Sequence, residues 1–284
     1  MEKIEFIGAS GAGKTTLFKE LLLERNDNKG WSTPQEARIE IAMQQKYTLI
    51  KDDLLRFISY NIYSLYKRNP RFLRVALEKN LIDKYTKTFK NDVADYNCLF
   101  ELLLDSACMK TNHLRPYNII HFFHFYELLL IRDLALLNFF DYNGVVVYED
   151  GIIHNSLGME NANAYEKILH LSPEKRKQII PSGIIYCNIS LEENILRRKK
   201  RIANGKITSL ELNFNEDELI ELCKESCADT ARVIELMHDL DVPILEIDMT
   251  KSNEENVPQI ISFIDKIGFP QSQEFTDDKY RNIR

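Results

Sequence analysis

The chain has 284 residues and a net charge of −6, with an isoelectric point near 5.6. Hydrophobic residues make up 44% of it, enough for a real core, while the acidic balance argues against nucleic acid as the main partner, because phosphate backbones favour basic surfaces. No apolar run reaches the roughly eighteen residues of a membrane span, the N-terminus enters its first strand with no room for a signal peptide, and the five cysteines lack zinc-like spacing, so a cytoplasmic chain with reduced thiols is expected.

In chain order, a first strand is expected at Lys3–Ile7. A glycine-rich loop follows, then a helix over Thr16–Arg25 with Leu17, Leu21 and Leu22 on one side. A weak second strand spans Gly30–Thr33 and is stopped by Pro34. From Gln35 to Tyr142 the chain reads almost wholly as helix. "HFFHFYELLLIRDLALLNFF", His121 to Phe140, is apolar on nearly every face, as in a helix buried beside a sheet. Further strands are expected at Val145–Tyr148, Gly183–Cys187 and Val242–Ile247. Between and after them, helices are expected within Asn155–Ile180, over Leu191–Ala203 behind the N-cap Ser190, over Glu216–Leu240 and over Asn253–Ile267. Short continuous apolar runs suit strands covered on both faces of a parallel sheet. Their alternation with helices points to a doubly wound α/β domain over 1–268, with a helical insertion at 35–142 between strands two and three and a tail at 269–284.

The loop is the most informative stretch. Gly8-Ala9-Ser10-Gly11-Ala12-Gly13-Lys14-Thr15 matches G-x-x-x-x-G-K-[ST], and it lies between a strand and a helix as the pattern requires. In such a loop successive backbone N–H groups point into one concavity and bind phosphate oxygens. The following helix adds its positive N-terminal end. Gly11, Ala12, Gly13, Lys14, Thr15 and Thr16 are therefore expected to bind nucleotide. Lys14 would reach the outer phosphates and the Thr15 hydroxyl would ligate Mg²⁺.

Three later features point from phosphate binding to phosphate transfer. "VVVYEDGIIHN", Val145 to Asn155, ends a strand in Glu149-Asp150. Ligands of open α/β sheets collect at the carboxyl ends of strands, and carboxylates there can hold Mg²⁺ through water or accept a proton from an attacking hydroxyl. "NISLEENILRRKKR", Asn188 to Arg201, carries Arg197 and Arg201 four apart on one side of a helix, where they could clamp the charge that develops in transfer. The polar stretch "ANGKITSLELNFNED" after it suits a lid. "VPILEIDMTKSNEENVPQIISFI", Val242 to Ile264, supplies a last strand, loop and helix able to close over a base, with Met249 at its edge.

Together these segments resemble the thymidylate kinase-like branch of nucleoside and nucleotide kinases. "GASGAGKTT" resembles their loop, "VVVYEDG" takes the place of their third strand, "IIYCNISLEENILRRKKR" is similar to their fourth strand and lid-arginine helix, and "VPILEID" to their last strand. The resemblance implies a P-loop NTPase fold with a five-stranded parallel sheet, ATP–Mg²⁺ as donor and a small-molecule acceptor. It also implies Glu149 as the counterpart of the strand-end acid. Asp150 departs from the pattern, standing where these kinases place an arginine. Pro34-Gln35-Glu36-Ala37-Arg38 is only loosely like their element after strand two.

The acceptor is expected between the strand ends and the helical insertion, near Glu36, Arg38, Arg132 and His154, with aromatics of the insertion as apolar walls. Three of these have an alternative use: Glu36 and Arg38 as a helix start, Arg132 as a buried arginine paired beside Asp133. His113, His121 and His124 read as packing residues, and "KRNPRFLR", Lys67 to Arg74, as a solvated turn. Association into a homodimer is compatible with the sequence. The expected activity is an ATP-dependent small-molecule kinase. The alternatives are a nucleotide-dependent switch or ATPase, or an inactive nucleotide-binding protein on the same fold. No Asn-Lys-x-Asp element follows a late strand, and no Leu-Ser-Gly-Gly signature is present.

Overall fold

A computed structural model describes residues 1–25, 30–49, 134–156, 169–205 and 215–268. The expectations for Cys98, Cys108, His113, His121, His124, Arg132 and Lys67–Arg74 lie outside these residues. So do most of the helical insertion, the polar stretch 206–214 and the tail 269–284.

Five strands form one all-parallel sheet. They are β1 (Glu2–Ile7), β2 (Trp31–Ser32), β3 (Val145–Tyr148), β4 (Gly183–Asn188) and β5 (Ile244–Asp248). Their spatial order is β2-β3-β1-β4-β5. The described helices are α1 (Lys14–Glu24), α2 (Pro34–Leu49), α3 (Leu136–Phe139), α4 (Ile152–Ser156), α5 (Pro173–Ile179), α6 (Leu191–Ala203), α7 (Glu216–Asp239) and α8 (Asn253–Gly268). A phosphate-loop motif after the first strand of a parallel sheet in this order is the P-loop NTPase fold. Strand β1 is central, and the chain passes to β3 on one side and β4 on the other. The loop after β1 therefore emerges at the topological switch point, where open α/β sheets bind ligands.

Each face of the sheet has its own core. Ile4 and Phe6 of β1 join Val145, Val147, Ile185 and Ile247 against α1 (Leu17, Phe18, Leu21) and α8 (Val257, Ile260, Ile264). Phe6 meets Phe18 edge to face, with ring centroids 5.5 Å apart, an orientation favoured by the ring quadrupoles. On the other face Ile7 and Ile184 pack with Ile152, Ile153, Ile179, Val233 and Met237 of α4, α5 and α7. Toward the β2 edge, Val146 and Tyr148 pack with Ala37 and Ile41 of α2 and Leu136 and Leu137 of α3. Alternation along β1 places Lys3 and Glu5 on the same face as Ile7, and both are buried.

Helix ends follow local chemistry. Ser190 Oγ accepts from Glu193 N at 3.2 Å to cap α6. Asn215 and Glu218 cap α7 reciprocally, at 2.9 and 2.8 Å. Helices α3 and α7 both end in a left-handed aspartate, Asp141 (φ 48) and Asp241 (φ 55). In each, the next residue returns its N–H to the helix, Tyr142 to Leu137 O and Val242 to Met237 O, closing a Schellman motif. That motif uses residues 240–242 as a turn. Strand β5 consequently begins at Ile244, two residues later than the apolar run suggests. No described helix is long and apolar enough to cross a membrane.

Candidate functional site

The loop between β1 and α1 is built to present N–H groups. Gly11 (φ +90) and Gly13 (φ +107) take left-handed backbone conformations, which cost a side-chain-bearing residue but not glycine. Ala12 N is used within the loop by Ala9 O at 3.0 Å, and Ser10 N by Ser226 Oγ at 3.0 Å. The N–H groups of Gly11, Gly13, Lys14 and Thr15 have no hydrogen-bond partner among the described residues. They crowd the N-terminus of α1, where the helix dipole favours negative charge. The side chains of Thr15 and Thr16 are exposed beside them.

Lys14 is buried, 9% exposed. Its Nζ donates to Gly8 O at 2.9 Å. Burial pushes its pKa below the usual lysine value, while Asp150, Cys187 and Glu149 pull it back up. These neighbours arise from strand order. Strand β3 pairs with β1 in the register Glu5↔Tyr148, so Glu149 and Asp150 run on beside Phe6 and Ile7 at the mouth of the loop. Burial raises the Asp150 carboxyl above its ordinary range; Lys14 opposes that shift and Glu149 adds to it. The Asp150 side chain is 46% exposed and lies 3.4 Å from His154 Nε2, so water screens much of the effect.

The Glu149–Asp150–Gly151 turn is held from below by a residue with no obvious place in the motif. Glu5 of β1 is 2% exposed, and its two carboxylate oxygens accept from Ile152 N at 3.1 Å and Ile153 N at 3.0 Å, the first N–H groups of α4. A Cβ at Gly151 would stand 2.1 Å from Glu5 Cδ, so the turn closes this tightly only with glycine. Burial raises Glu5 to about 7, opposed by Lys3 and by those backbone donors. Lys3 is lowered to about 8, again chiefly by burial.

Helix α6 lies along the outside of the loop. Arg197 is held by Glu193 Oε1 at 2.8 Å and donates from Nη1 to Ala12 O at 2.8 Å and from Nη2 to Met249 O at 2.6 Å. Met249 follows β5, and its Cε approaches the space beside Gly13. Arg197 and Met249 thus meet at one flank of the loop. Arg201 sits one turn further along, half-buried. Arg198 points elsewhere: 3% exposed, it packs its Cγ under Gly11 and reaches Cys223 Sγ at 3.5 Å and Ser10 Oγ at 3.4 Å. Asn194, fully buried, donates to Ser10 O at 3.0 Å.

Of the expected acceptor residues, His154 stands beside Asp150. Glu36 is engaged elsewhere: Arg25 at the end of α1 donates to it from both terminal nitrogens, at 2.7 and 2.5 Å, and Thr33 N donates to it at 3.0 Å. The Arg25 guanidinium also lies 4.6 Å over the Trp31 ring. These contacts pin the start of α2 to the β2 edge. Arg38 is buried. Arg132 lies outside the described residues. Glu5, Gly151, Asn194, Arg198 and Ser226 are the residues a motif reading passes over. The one available signal was in β1: two charged side chains, Lys3 and Glu5, in a strand expected to be covered on both faces.

Among the described residues no group of three or more His, Cys, Asp or Glu could hold a metal. A hard cation shared with phosphate oxygens needs fewer protein ligands, and Thr15 with the carboxylates of Glu149 and Asp150 are oxygen donors of the right kind.

No family model matches the sequence, and no curated protein matches it. Among solved structures, the chain is similar to a deoxyadenosine kinase from M. mycoides with bound dATP, at 14% identity and a TM-score of 0.37, covering 93% of this chain and 100% of that one. A second structure of that enzyme, with the products dCMP and a flexible dCDP bound, matches at 13% identity and a TM-score of 0.37, over 93% and 99% of the two chains. Similarity at that level carries no weight for function, and the fold of this chain stands on its own strand order and loop.

Proposed function

We propose that the chain is a P-loop phosphotransferase that moves the γ-phosphate of ATP to a hydroxyl or phosphate of a small acceptor of nucleoside, nucleotide or sugar type. The observation that carries this reading is the placement of Glu149 and Asp150 beside Lys14 across the β1–β3 pair. Strand-end carboxylates beside the outer phosphates can hold Mg²⁺ through water in any P-loop nucleotide enzyme. In a kinase a base there can also take the acceptor's proton.

In this reading the N–H groups of Gly11, Gly13, Lys14 and Thr15 bind phosphate oxygens, with Ala12 and Thr16 beside them. Lys14 leaves the Gly8 carbonyl for the β- and γ-phosphates and offsets their charge. Arg197 and Met249 flank the nucleotide on the base side, and Arg201 lies further along α6. Thr15, with Glu149 or Asp150 through water, would hold Mg²⁺, which supplies charge neutralisation at the phosphates when bound. Asp150, with His154 Nε2 3.4 Å away, is a proposed contact to the acceptor. His154 and Arg38 are the other proposed acceptor contacts, with Arg132 a further candidate from the sequence alone. Glu36 has a weaker claim because Arg25 already holds it.

The test is acceptor-dependent ADP release from ATP–Mg²⁺ across a panel of nucleosides, nucleotides and sugars, with Lys14→Ala as control. Release that depends on one acceptor class and vanishes in the control supports the kinase. Acceptor-independent release points instead to an ATPase or switch, and tight ATP binding without turnover to a nucleotide-binding protein that uses the fold for contacts.

A further inference from the structure

We infer that Asn194, Arg198 and Ser226 form a clamp on Ser10 that sets the shape of the phosphate loop, a positioning role that rests on reading the loop as a phosphate site. Ser10 has three polar atoms, and side chains from two helices engage all of them. Ser226 Oγ of α7 accepts from Ser10 N at 3.0 Å. Asn194 Nδ2 of α6 donates to Ser10 O at 3.0 Å. Arg198 Nη2 of α6 donates to Ser10 Oγ at 3.4 Å.

The pieces are themselves held in place. Arg198 donates from Nη1 to Cys223 Sγ at 3.5 Å, and its Cγ lies where a Cβ on Gly11 would come within 2.8 Å. One turn of α6 therefore touches three successive loop residues: Asn194 and Arg198 at Ser10, Arg198 at Gly11, and Arg197 at Ala12. The loop is made mostly of Gly, Ala and Ser, so it has few side chains with which to fix its own curvature. Donors aimed at an anion work only if they are held in place beforehand. Here the fixing groups come from outside the loop and leave the inner N–H groups of Gly11, Gly13, Lys14 and Thr15 turned toward the concavity.

Asn194 shows that this is more than packing. It is fully buried, and its Oδ1 has no partner among the described residues. A leucine has the same branched arrangement of heavy atoms, though larger, and carries no buried, unsatisfied acceptor, so on hydrogen bonding alone asparagine is the poorer choice. What it supplies and leucine lacks is the donor to Ser10 O.

The experiment measures ATP–Mg²⁺ affinity by titration calorimetry and thermal unfolding on the full chain for Asn194→Leu, Ser226→Ala, Ser226→Thr and Lys14→Ala. Asn194→Leu and Ser226→Ala should each weaken ATP binding about tenfold, with Tm within about 3 °C of wild type. Ser226→Thr keeps the hydroxyl and should restore affinity. If Lys14→Ala binds ATP like wild type, the phosphate-loop reading itself falls. If Lys14→Ala loses binding while Asn194→Leu and Ser226→Ala bind normally, the clamp is overturned and the loop reading stands. Affinity loss that only follows a fall in Tm, and that Ser226→Thr does not restore, also overturns the clamp.

Discussion

The guanidinium of Arg197 donates to the backbone carbonyl of Met249 at 2.6 Å, while its other terminal nitrogen holds Ala12 O at 2.8 Å. One side chain thus ties the loop after β5 to the loop after β1. From sequence, Arg197 and Arg201 formed a pair acting together on the transferring phosphate. Arg197 itself is engaged at the flank of the loop where Met249 lies. Arg197→Ala should therefore raise the dissociation constant for ATP by about tenfold or more while changing kcat at saturating ATP by less. Calorimetry without acceptor and turnover with it distinguish the outcomes. A fall in kcat at unchanged affinity would return Arg197 to a transition-state role.

Lys14→Met should lower phosphoryl transfer by about a hundredfold or more, as expected when a charge-stabilising donor is removed from a transition state. Its effect on folding should be small. Burial already works against the ammonium, so an apolar side chain of similar length relieves a desolvation penalty while giving up the bond to Gly8 O. Tm within about 3 °C of wild type is the expected result. A large loss of stability would mean that Lys14 serves the loop's structure first.

Much of the scaffold could be read from local chemistry. Val145–Tyr148 and Leu191–Ala203 fall where the apolar run and the Ser190 cap place them, because a strand bounded by turn residues and a capped helix are short-range signals. The start of β5 was misplaced because a Schellman turn on Asp241 consumed the first apolar residues of the run. The loop motif was legible for the same local reason, since its glycines and lysine sit at fixed spacing. The supporting residues were not legible. Glu5 meets Ile152 across 147 positions, Asn194 meets Ser10 across 184, and Ser226 meets Ser10 across 216. Contacts of that separation leave no periodic trace, and each exists only once the strand order is known.

Glu149 and Asp150 are distinguishable by pH as well as by rate. Replacing the essential one by its amide should reduce kcat by about a hundredfold. If Asp150 is the base, its raised pKa puts the acid limb of kcat/KM above the ordinary aspartate range. Glu149→Gln would then remove a neighbouring negative charge, favour the ionised form of Asp150 and move that limb to lower pH. If Glu149 is the essential group, Glu149→Gln is the inactive variant and Asp150→Asn retains turnover. Full activity in both would mean that the end of β3 does not face the phosphates.

Glu5 and Gly151 should behave as one unit beneath that turn. Glu5 is raised to about 7 in the fold from an ordinary value of 4.5, so the folded chain keeps a proton that the unfolded chain has lost. Its stabilising contribution is complete below the unfolded value and disappears as pH rises through the folded one. Lys3, lowered to about 8, titrates above that window. Wild-type stability should therefore fall relative to Glu5→Gln as pH rises from about 5 to 7, measured by urea unfolding. At Gly151 a methyl group would collide with Glu5 Cδ at 2.1 Å. Gly151→Ala should cost about 2 kcal/mol, typical of forced overpacking, and lower kcat because Glu149 and Asp150 move with the turn. In a Glu5→Ala background the clash is gone, so the same substitution should cost distinctly less, a coupling read from the double-mutant cycle. Additive costs would show that Glu5 does not carry the turn, and the position of the strand-end carboxylates would need another support.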